Sequence, residues 1–318
     1  MIYLLLILVA VVLIIGHYGI PEKINPNDFQ ETPPKESLLK GAEPFTLKGK
    51  TDTAFLMIHG FEDSAFTLRS LANVIHKQGH TVFVPLLPGH GTSLKKFKKT
   101  RYEHWYEAVR RIYDSEYDSY TNFFILGFSM GGNLSAKLAS EYSNLKPPTG
   151  LVLISTPVFL NAIADGKIII KNWMLMFSGI LKHIITYLPK RREQLAPGVI
   201  NPWVGYSEAY TLPCLHSFKI NIGKVRNKLK NIKSPVCLIQ ATNDKTVSTY
   251  NLYYIFKKVS SREKRAFLFE IAEDISTRHV LITHEQMRDK VFYYILKFVE
   301  DTLINFDLHP IALKKKSH

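Results

Sequence analysis

The sequence predicts an α/β fold: a mostly parallel sheet with helices on both faces, an inserted helical cap, and an N-terminal membrane anchor ahead of them. Three observations predict the sheet and the cap. Apolar runs of strand length alternate with amphipathic segments from about residue 53 to 157, as a parallel sheet with helical crossovers requires. The alternation stops over 158–230 and resumes near 235. Between these, Thr121-Asn-Phe-Phe-Ile-Leu-Gly-Phe-Ser-Met-Gly-Gly-Asn-Leu134 reads as strand, sharp turn and helix.

Taken in order, Met1 to Ile15 is almost unbroken Leu, Ile and Val, and Gly16 to Ile20 brings it near the roughly 20 residues of a membrane span. No cationic start and no small-residue cleavage site accompany it, so it reads as an uncleaved anchor rather than a signal peptide. The lysines follow it, beginning with Lys23, Lys35 and Lys40, which leans the remainder toward the cytoplasmic side. Residues 21–42, with Pro21, Pro26, Pro33 and Pro34, read as an extended spacer.

Thr53 to Ile58 is an apolar strand that runs into His59-Gly60-Phe61. Ala65 to Lys77 has the apolar spacing of an amphipathic helix closed by Gly79, and Thr81 to Val84 is the next strand. Pro85-Leu-Leu-Pro-Gly-His-Gly91 is a turn-rich loop, and Tyr102 to Tyr113 a helix with Trp105, Val109 and Ile112 on one face. Phe123 to Leu126 suits a strand buried on both faces. Gly127-Phe-Ser-Met-Gly131 then matches G-x-S-x-G, a turn that strains the serine backbone and admits no side chain at the flanking glycines. At ordinary Gly and Ser usage of roughly 7% each, the bare pentapeptide arises by chance in about one chain in ten of this size. Its context therefore has to carry the argument.

Gly150 to Ile154 is another strand, and the segment 158–230, without a clear strand, reads as a helical cap. Within it Trp173 and Phe177 are candidates to line an acyl-chain pocket. Pro235 to Gln240 and Ala266 to Ile271 are the remaining strands, and Gln286 to Leu303 the closing helix. The chain thus divides into anchor (1–20), spacer (21–42), first core part (43–157), cap (158–230), second core part (231–305) and a basic tail (306–318).

Composition adds constraints. With 318 residues, 46% of them hydrophobic, the chain can bury a large core. Lys and Arg number 41 against 27 acids, a net charge of +14. No stretch interleaves basic and aromatic residues as a nucleic-acid motif would, so affinity for anionic lipid is the better reading. Cys214 and Cys237 supply neither a disulfide framework nor metal-ligand spacing.

A nucleophilic serine needs a base, an orienting acid and oxyanion donors. After Ser129 come Asp244, in the loop that ends a strand, and His279, just before the closing helix; Glu270 and Asp274 are rival acids and His284 a rival base. The backbone N–H groups of Phe61 and Met130 are placed to form a two-donor oxyanion hole, while His59 and His90 suit loop-bracing roles.

Ile58-His-Gly-Phe61, Pro85-Leu-Leu-Pro-Gly-His-Gly-Thr-Ser93, Gly127-Phe-Ser-Met-Gly-Gly132, Gln240-Ala-Thr-Asn-Asp-Lys-Thr-Val247 and Arg278-His-Val-Leu281 together give the chain its resemblance. It is similar to the carboxylesterase and monoacylglycerol lipase branch of the α/β-hydrolase superfamily, over roughly residues 50–157 and 233–300. The resemblance implies a Ser129, Asp244, His279 triad, oxyanion donation by Phe61 and Met130, no metal or cofactor, and a lipidic or short- to medium-chain ester as substrate. Thioester hydrolysis and a non-catalytic lipid-binding module are the alternatives. The chain departs from the family pattern at Thr277-Arg278 before the histidine, at Ser248 after the acid-loop valine, and at Glu62-Asp63, where a small neutral turn is usual.

Overall fold

The computed structural model describes residues 2–30, 33–164, 167–170, 173–190, 202–272 and 278–308. In chain order it has α1 (Ile2–Tyr18), β1 (Phe45–Leu47), β2 (Thr53–Ile58), α2 (Arg69–Lys77), β3 (Thr81–Val84), α3 (Leu94–Phe97), α4 (Tyr102–Glu116), β4 (Asn122–Phe128), α5 (Met130–Glu141) and β5 (Gly150–Ile154). The insertion follows: β6 (Asn161–Ala164), β7 (Lys167–Ile170), α6 (Trp173–Met176), α7 (Ser178–Leu181), β8 (Tyr187–Pro189), β9 (Ala209–Thr211) and α8 (Leu212–Lys228). The chain then returns to the sheet through β10 (Val236–Ala241), α9 (Tyr250–Lys258), β11 (Lys264–Phe269) and α10 (Arg288–Leu308).

Among the described residues the main sheet has seven strands in the order β1-β3-β2-β4-β5-β10-β11, parallel except for β1, which pairs antiparallel with β3 at the edge. The central strands are apolar on both faces, and the period of two sends alternate residues to two separate cores. Ala54, Leu56 and Ile58 of β2, with Phe123 and Ile125 of β4, pack under α4, α5, α8 and α9, beside Trp105, Leu134, Phe218 and Ile255. Phe55 and Met57, with Phe124, Leu126 and Phe128, face α2 and α10, beside Leu71, Ile75, Ile295 and Phe298. Phe55 and Phe124 stack with ring centroids 4.9 Å apart. Fully burying each such ring stabilises the fold by about 1.5–3 kcal/mol.

The insertion differs from the all-helical cap that the sequence suggests. Among the described residues it carries two antiparallel ribbons, β6 with β7 and β8 with β9. The β-branched run Ile168–Ile170 favours a strand, but three residues are too few to show a period that separates strand from helix.

Residues 21–30 likewise depart from a free spacer. Arg101 pairs with Glu22 at 2.8 Å, Arg111 donates to Asn27 at 2.8 Å, and the Phe29 ring lies 5.0 Å from that of His104. Burial alone would raise the Glu22 pKa, but hydrogen bonds from Lys182 and Arg101 hold it down at about 2.

No helix among the described residues is long and apolar enough to cross a membrane. At about 1.5 Å per residue the 17 residues of α1 extend about 26 Å, short of a hydrocarbon core of about 30 Å. Ile2 to Ile15 are nonetheless largely exposed large apolar side chains. The C-terminal end of α1 is seated on the insertion. The Phe177 ring lies against Gly16, and a side chain at Gly179 would collide with the backbone of Ile15 and Gly19. Lys219 Nζ donates to His17 O and Leu175 O, each at 2.7 Å.

Candidate active site

Three segments that follow the parallel strands β4, β10 and β11 bring the site together at the carboxyl end of the sheet, where open α/β sheets place their chemistry. Between β4 and α5, Ser129 has φ 54°, a left-handed conformation unusual for a residue with a side chain. The turn is held because Ser129 N–H donates to Ile154 O at 2.8 Å. A Cβ on Gly127 would overlap the Gly131 backbone, and one on Gly131 would overlap the carbonyls of Ile58 and His59. These glycines let α5 approach the sheet closely enough to leave the Ser129 hydroxyl at the strand end.

His279 comes from the segment ahead of α10 and Asp244 from the loop after β10. His279 Nε2 is 2.9 Å from Ser129 Oγ, and His279 Nδ1 is 2.7 Å from Asp244 Oδ2. The other carboxylate oxygen, Asp244 Oδ1, accepts the N–H groups of Thr246 at 2.7 Å and Val247 at 2.9 Å. Both oxygens are thus occupied, which fixes the orientation of the acid toward the ring. The Phe128 ring packs 5.1 Å from the imidazole, and Ser155 Oγ donates to His279 O at 3.2 Å. A hydroxyl, an imidazole and a carboxylate in this sequence can move a proton from oxygen to nitrogen while the acid holds the ring tautomer.

The rivals fall elsewhere. Glu270 is exposed, Asp274 lies outside the described residues, and His284 is buried. The His284 carbonyl accepts the N–H groups of Met287 at 3.1 Å and Arg288 at 2.9 Å as α10 begins, and its ring is inside the molecule.

The loop after β2 is braced from within. His59 donates from Nδ1 to Gly60 O at 2.9 Å and accepts Leu87 N–H on Nε2 at 3.0 Å, which ties the 60s loop to the 85–91 turn. Burial holds the His59 pKa down at about 4, so the ring is neutral near pH 7. His90 packs 4.9 Å from it, and burial with the neighbouring His59 puts its pKa well below the ordinary value. The Phe61 N–H makes no hydrogen bond among the described residues. Met130 opens α5, where a backbone N–H has no acceptor inside the helix. The Phe61 side chain is fixed in an aromatic cluster, stacked 5.9 Å from Phe218 of α8 and edge-on to Trp105 at 5.8 Å.

Sequence reasoning flagged Glu62-Asp63 as a departure without finding where they point. Both are turned inward. Asp63 accepts from Thr67 Oγ1 at 2.6 Å and from Gly60 N–H at 3.2 Å, and burial pushes its pKa up to about 6 against these bonds and the nearby His279 charge. Glu62 pairs with Lys190 at 2.6 Å and accepts Thr211 N–H at 2.9 Å; burial raises its pKa, opposed by Lys190 and Thr211. A buried carboxylate calls for a cation, but a chain this rich in lysine does not name which one. The two pocket candidates are not gathered at this centre. The contact described for Phe177 is with α1, and the Trp173 side chain lies outside the described residues.

A sequence model of the family described as serine aminopeptidase, S33, matches residues 49–273. The chain belongs to this family of α/β-hydrolases. Two curated relatives of this S33 hydrolase are a carboxylesterase of Bacillus subtilis (strain 168), 28% identical over 81% of this chain and 96% of the relative, and a thermostable monoacylglycerol lipase of Bacillus sp. (strain H-257), 29% identical over 71% and 84%. Solved structures share the fold. One from a description of the metagenome-derived lipolytic enzymes LipS and LipT superposes with TM-score 0.67 at 22% identity, covering 83% of this chain and 99% of the other. The monoacylglycerol lipase of Paleococcus ferrophilus does so with TM-score 0.65 at 17% identity, over 82% and 99%.

Proposed function

We propose that this chain, a carboxylic ester hydrolase, cleaves lipidic esters by two-step acyl transfer through Ser129, His279 and Asp244. The observation that carries the reading is the hydrogen-bonded relay from Ser129 Oγ through the His279 ring to Asp244. His279 Nε2 takes the serine proton as Oγ attacks the ester carbonyl, and Asp244 keeps the ring in the tautomer that leaves Nε2 free and stabilises its cation. The N–H groups of Phe61 and Met130 receive the developing oxyanion, a contribution of about 100- to 1000-fold per donor in hydrolases of this chemistry. The protonated ring then delivers its proton to the departing alcohol. Water, deprotonated by the same nitrogen, attacks the acyl-serine and releases the acid.

The names of the curated relatives favour a monoacylglycerol or a short- to medium-chain ester, and the exposed apolar helix α1 favours a substrate met at a lipid surface. In this reading α1, apolar on all sides, is the membrane-associating element, and the lysines that follow it from Lys23 onward favour anionic lipid.

The test compares initial rates of the wild type and Ser129→Ala on acyl esters from acetyl to palmitoyl, a monoacylglycerol, a lysophospholipid and an acyl thioester. Loss of all turnover in the variant is expected, with the monoacylglycerol or a medium-chain ester preferred. A preference for the thioester would move the substrate class, and activity that survives Ser129→Ala would overturn the mechanism.

A further inference from the structure

Glu62 follows the residue read as an oxyanion donor, and every tie described for its side chain runs to the insertion. Its Oε2 lies 2.6 Å from Lys190 Nζ and its Oε1 accepts Thr211 N–H at 2.9 Å, so it bridges the ends of the β8–β9 ribbon. The backbone is tied to the same region: Glu62 O accepts Tyr206 N–H at 2.9 Å, and Ser64 Oγ donates to Val204 O at 2.7 Å. Lys190 is held in turn, with Tyr206 O as a further acceptor, its N–H on Glu208 O at 3.0 Å, and its ammonium 4.5 Å from the centre of the Tyr210 ring. Glu62 itself has φ 58°. A non-glycine residue is held in that region only by its surroundings.

We propose that the Glu62–Lys190 pair is a positioning device that couples seating of the β8–β9 ribbon to the aim of the Phe61 N–H in the oxyanion hole. With the pair in place, residue 62 stays left-handed and the turn from Gly60 to Asp63 stays closed, Gly60 N–H donating to Asp63 Oδ2. Without it, residue 62 relaxes toward an ordinary φ, Asp63 is carried away from the Gly60 N–H that it accepts at 3.2 Å, and the Gly60–Phe61 peptide, which bears the donor, keeps only the His59 tie on Gly60 O to set its direction. The Phe61 ring does not compensate, because its anchoring in the aromatic cluster fixes the side chain and not the rotation of the peptide before it. Glu62 acts through Phe61 and touches no reacting atom. The coupling explains why a buried carboxylate stands where a small neutral turn would serve for chain reversal alone. Its ionic partner lies on the insertion, just after β8.

The proposal rests on the serine-esterase reading, and the experiment separates the two. Wild type, Ser129→Ala, Glu62→Gln, Lys190→Met and the double variant Glu62→Gln/Lys190→Met are compared on a soluble p-nitrophenyl ester, with a boronic acid as probe of the tetrahedral state. Glu62→Gln keeps the size and the acceptor for Thr211. It is expected to lower kcat by about 10- to 100-fold, below the full loss of one donor. KM should stay within about threefold, and boronate affinity should fall by the same factor as kcat/KM. Lys190→Met, at a partly exposed position that tolerates substitution even if Glu62→Gln does not fold, should behave alike, and the double variant should be no worse than the worse single. A lowered melting temperature with unchanged kcat and boronate affinity at 25 °C would mean a purely structural tie and overturn the proposal, as would singles whose losses multiply in the double. If those variants keep full activity while Ser129→Ala is dead, the coupling alone fails. If Ser129→Ala stays active, the esterase reading and the coupling fall together.

Discussion

Replacing Asp244 with Asn tests the relay at its least replaceable point. In the native site Oδ1 accepts two backbone N–H groups, from Thr246 and Val247, and Oδ2 faces His279 Nδ1 at 2.7 Å. An asparagine has one oxygen, and the two N–H donors hold it at the Oδ1 position, so its NH2 group occupies the place of Oδ2. Two donors cannot face each other there. The ring must give up its Nδ1 proton and carry the proton on Nε2, which then points at Ser129 Oγ as a donor and cannot take the serine proton. Shape and packing are preserved, so the loss falls on kcat. The same substitution at a buried triad acid elsewhere lowers kcat by about 10⁴-fold, which corresponds to about 5.5 kcal/mol of barrier. Initial rates on a p-nitrophenyl ester, with far-UV circular dichroism and a melting curve as folding controls, measure it. A folded Asp244→Asn protein that loses less than about tenfold in kcat would refute the tautomer argument.

Three further outcomes follow from the same structure. Gly131→Ala places a methyl group on the Ile58 and His59 carbonyls, which are backbone and cannot yield, so urea denaturation should show a loss near the upper end of the about 1–3 kcal/mol range for overpacking. The Asp63 pKa rises from 3.8 to about 6 on folding, so its stabilising contribution is full below pH 3.8 and is lost as pH rises through about 6. The stability of Asp63→Asn relative to wild type should therefore improve by up to about 3 kcal/mol between pH 4 and pH 8, and a difference constant across pH would contradict this burial. Deleting residues 1–20 should abolish flotation with anionic liposomes while kcat on a soluble ester stays within about threefold, since α1 packs on the insertion and not on the relay; flotation equal to that of the full chain would show that α1 is not the membrane-associating element.

The sequence by itself determined what short-range pattern can encode. β2, β3 and β5 occupy the segments that their apolar runs mark, because strands buried on both faces leave no room for polar side chains. The elbow was legible in Gly127, Ser129 and Gly131, since only glycine tolerates the backbone contacts on either side of the serine. Ser129, Asp244 and His279 could be nominated by order and by their places at strand ends. Only the tertiary structure decided that Asp244 rather than exposed Glu270 meets the ring, and that the buried ring of His284 is not the one facing Ser129. Tertiary structure also decided what pairs over long separations. Edge strand β1, three residues long, owes its existence to β3. The ribbons of the insertion are too short to show a period of their own. Glu62 takes Lys190 from among many lysines because the β8–β9 ribbon brings that one to it. Residues 21–30, proline-containing as a spacer would be, lie along α4 because Glu22, Asn27 and Phe29 find Arg101, Arg111 and His104 there. Local periodicity is written into neighbouring residues, whereas the choice of partner for a buried charge or an edge strand is made only when the whole chain has closed around it.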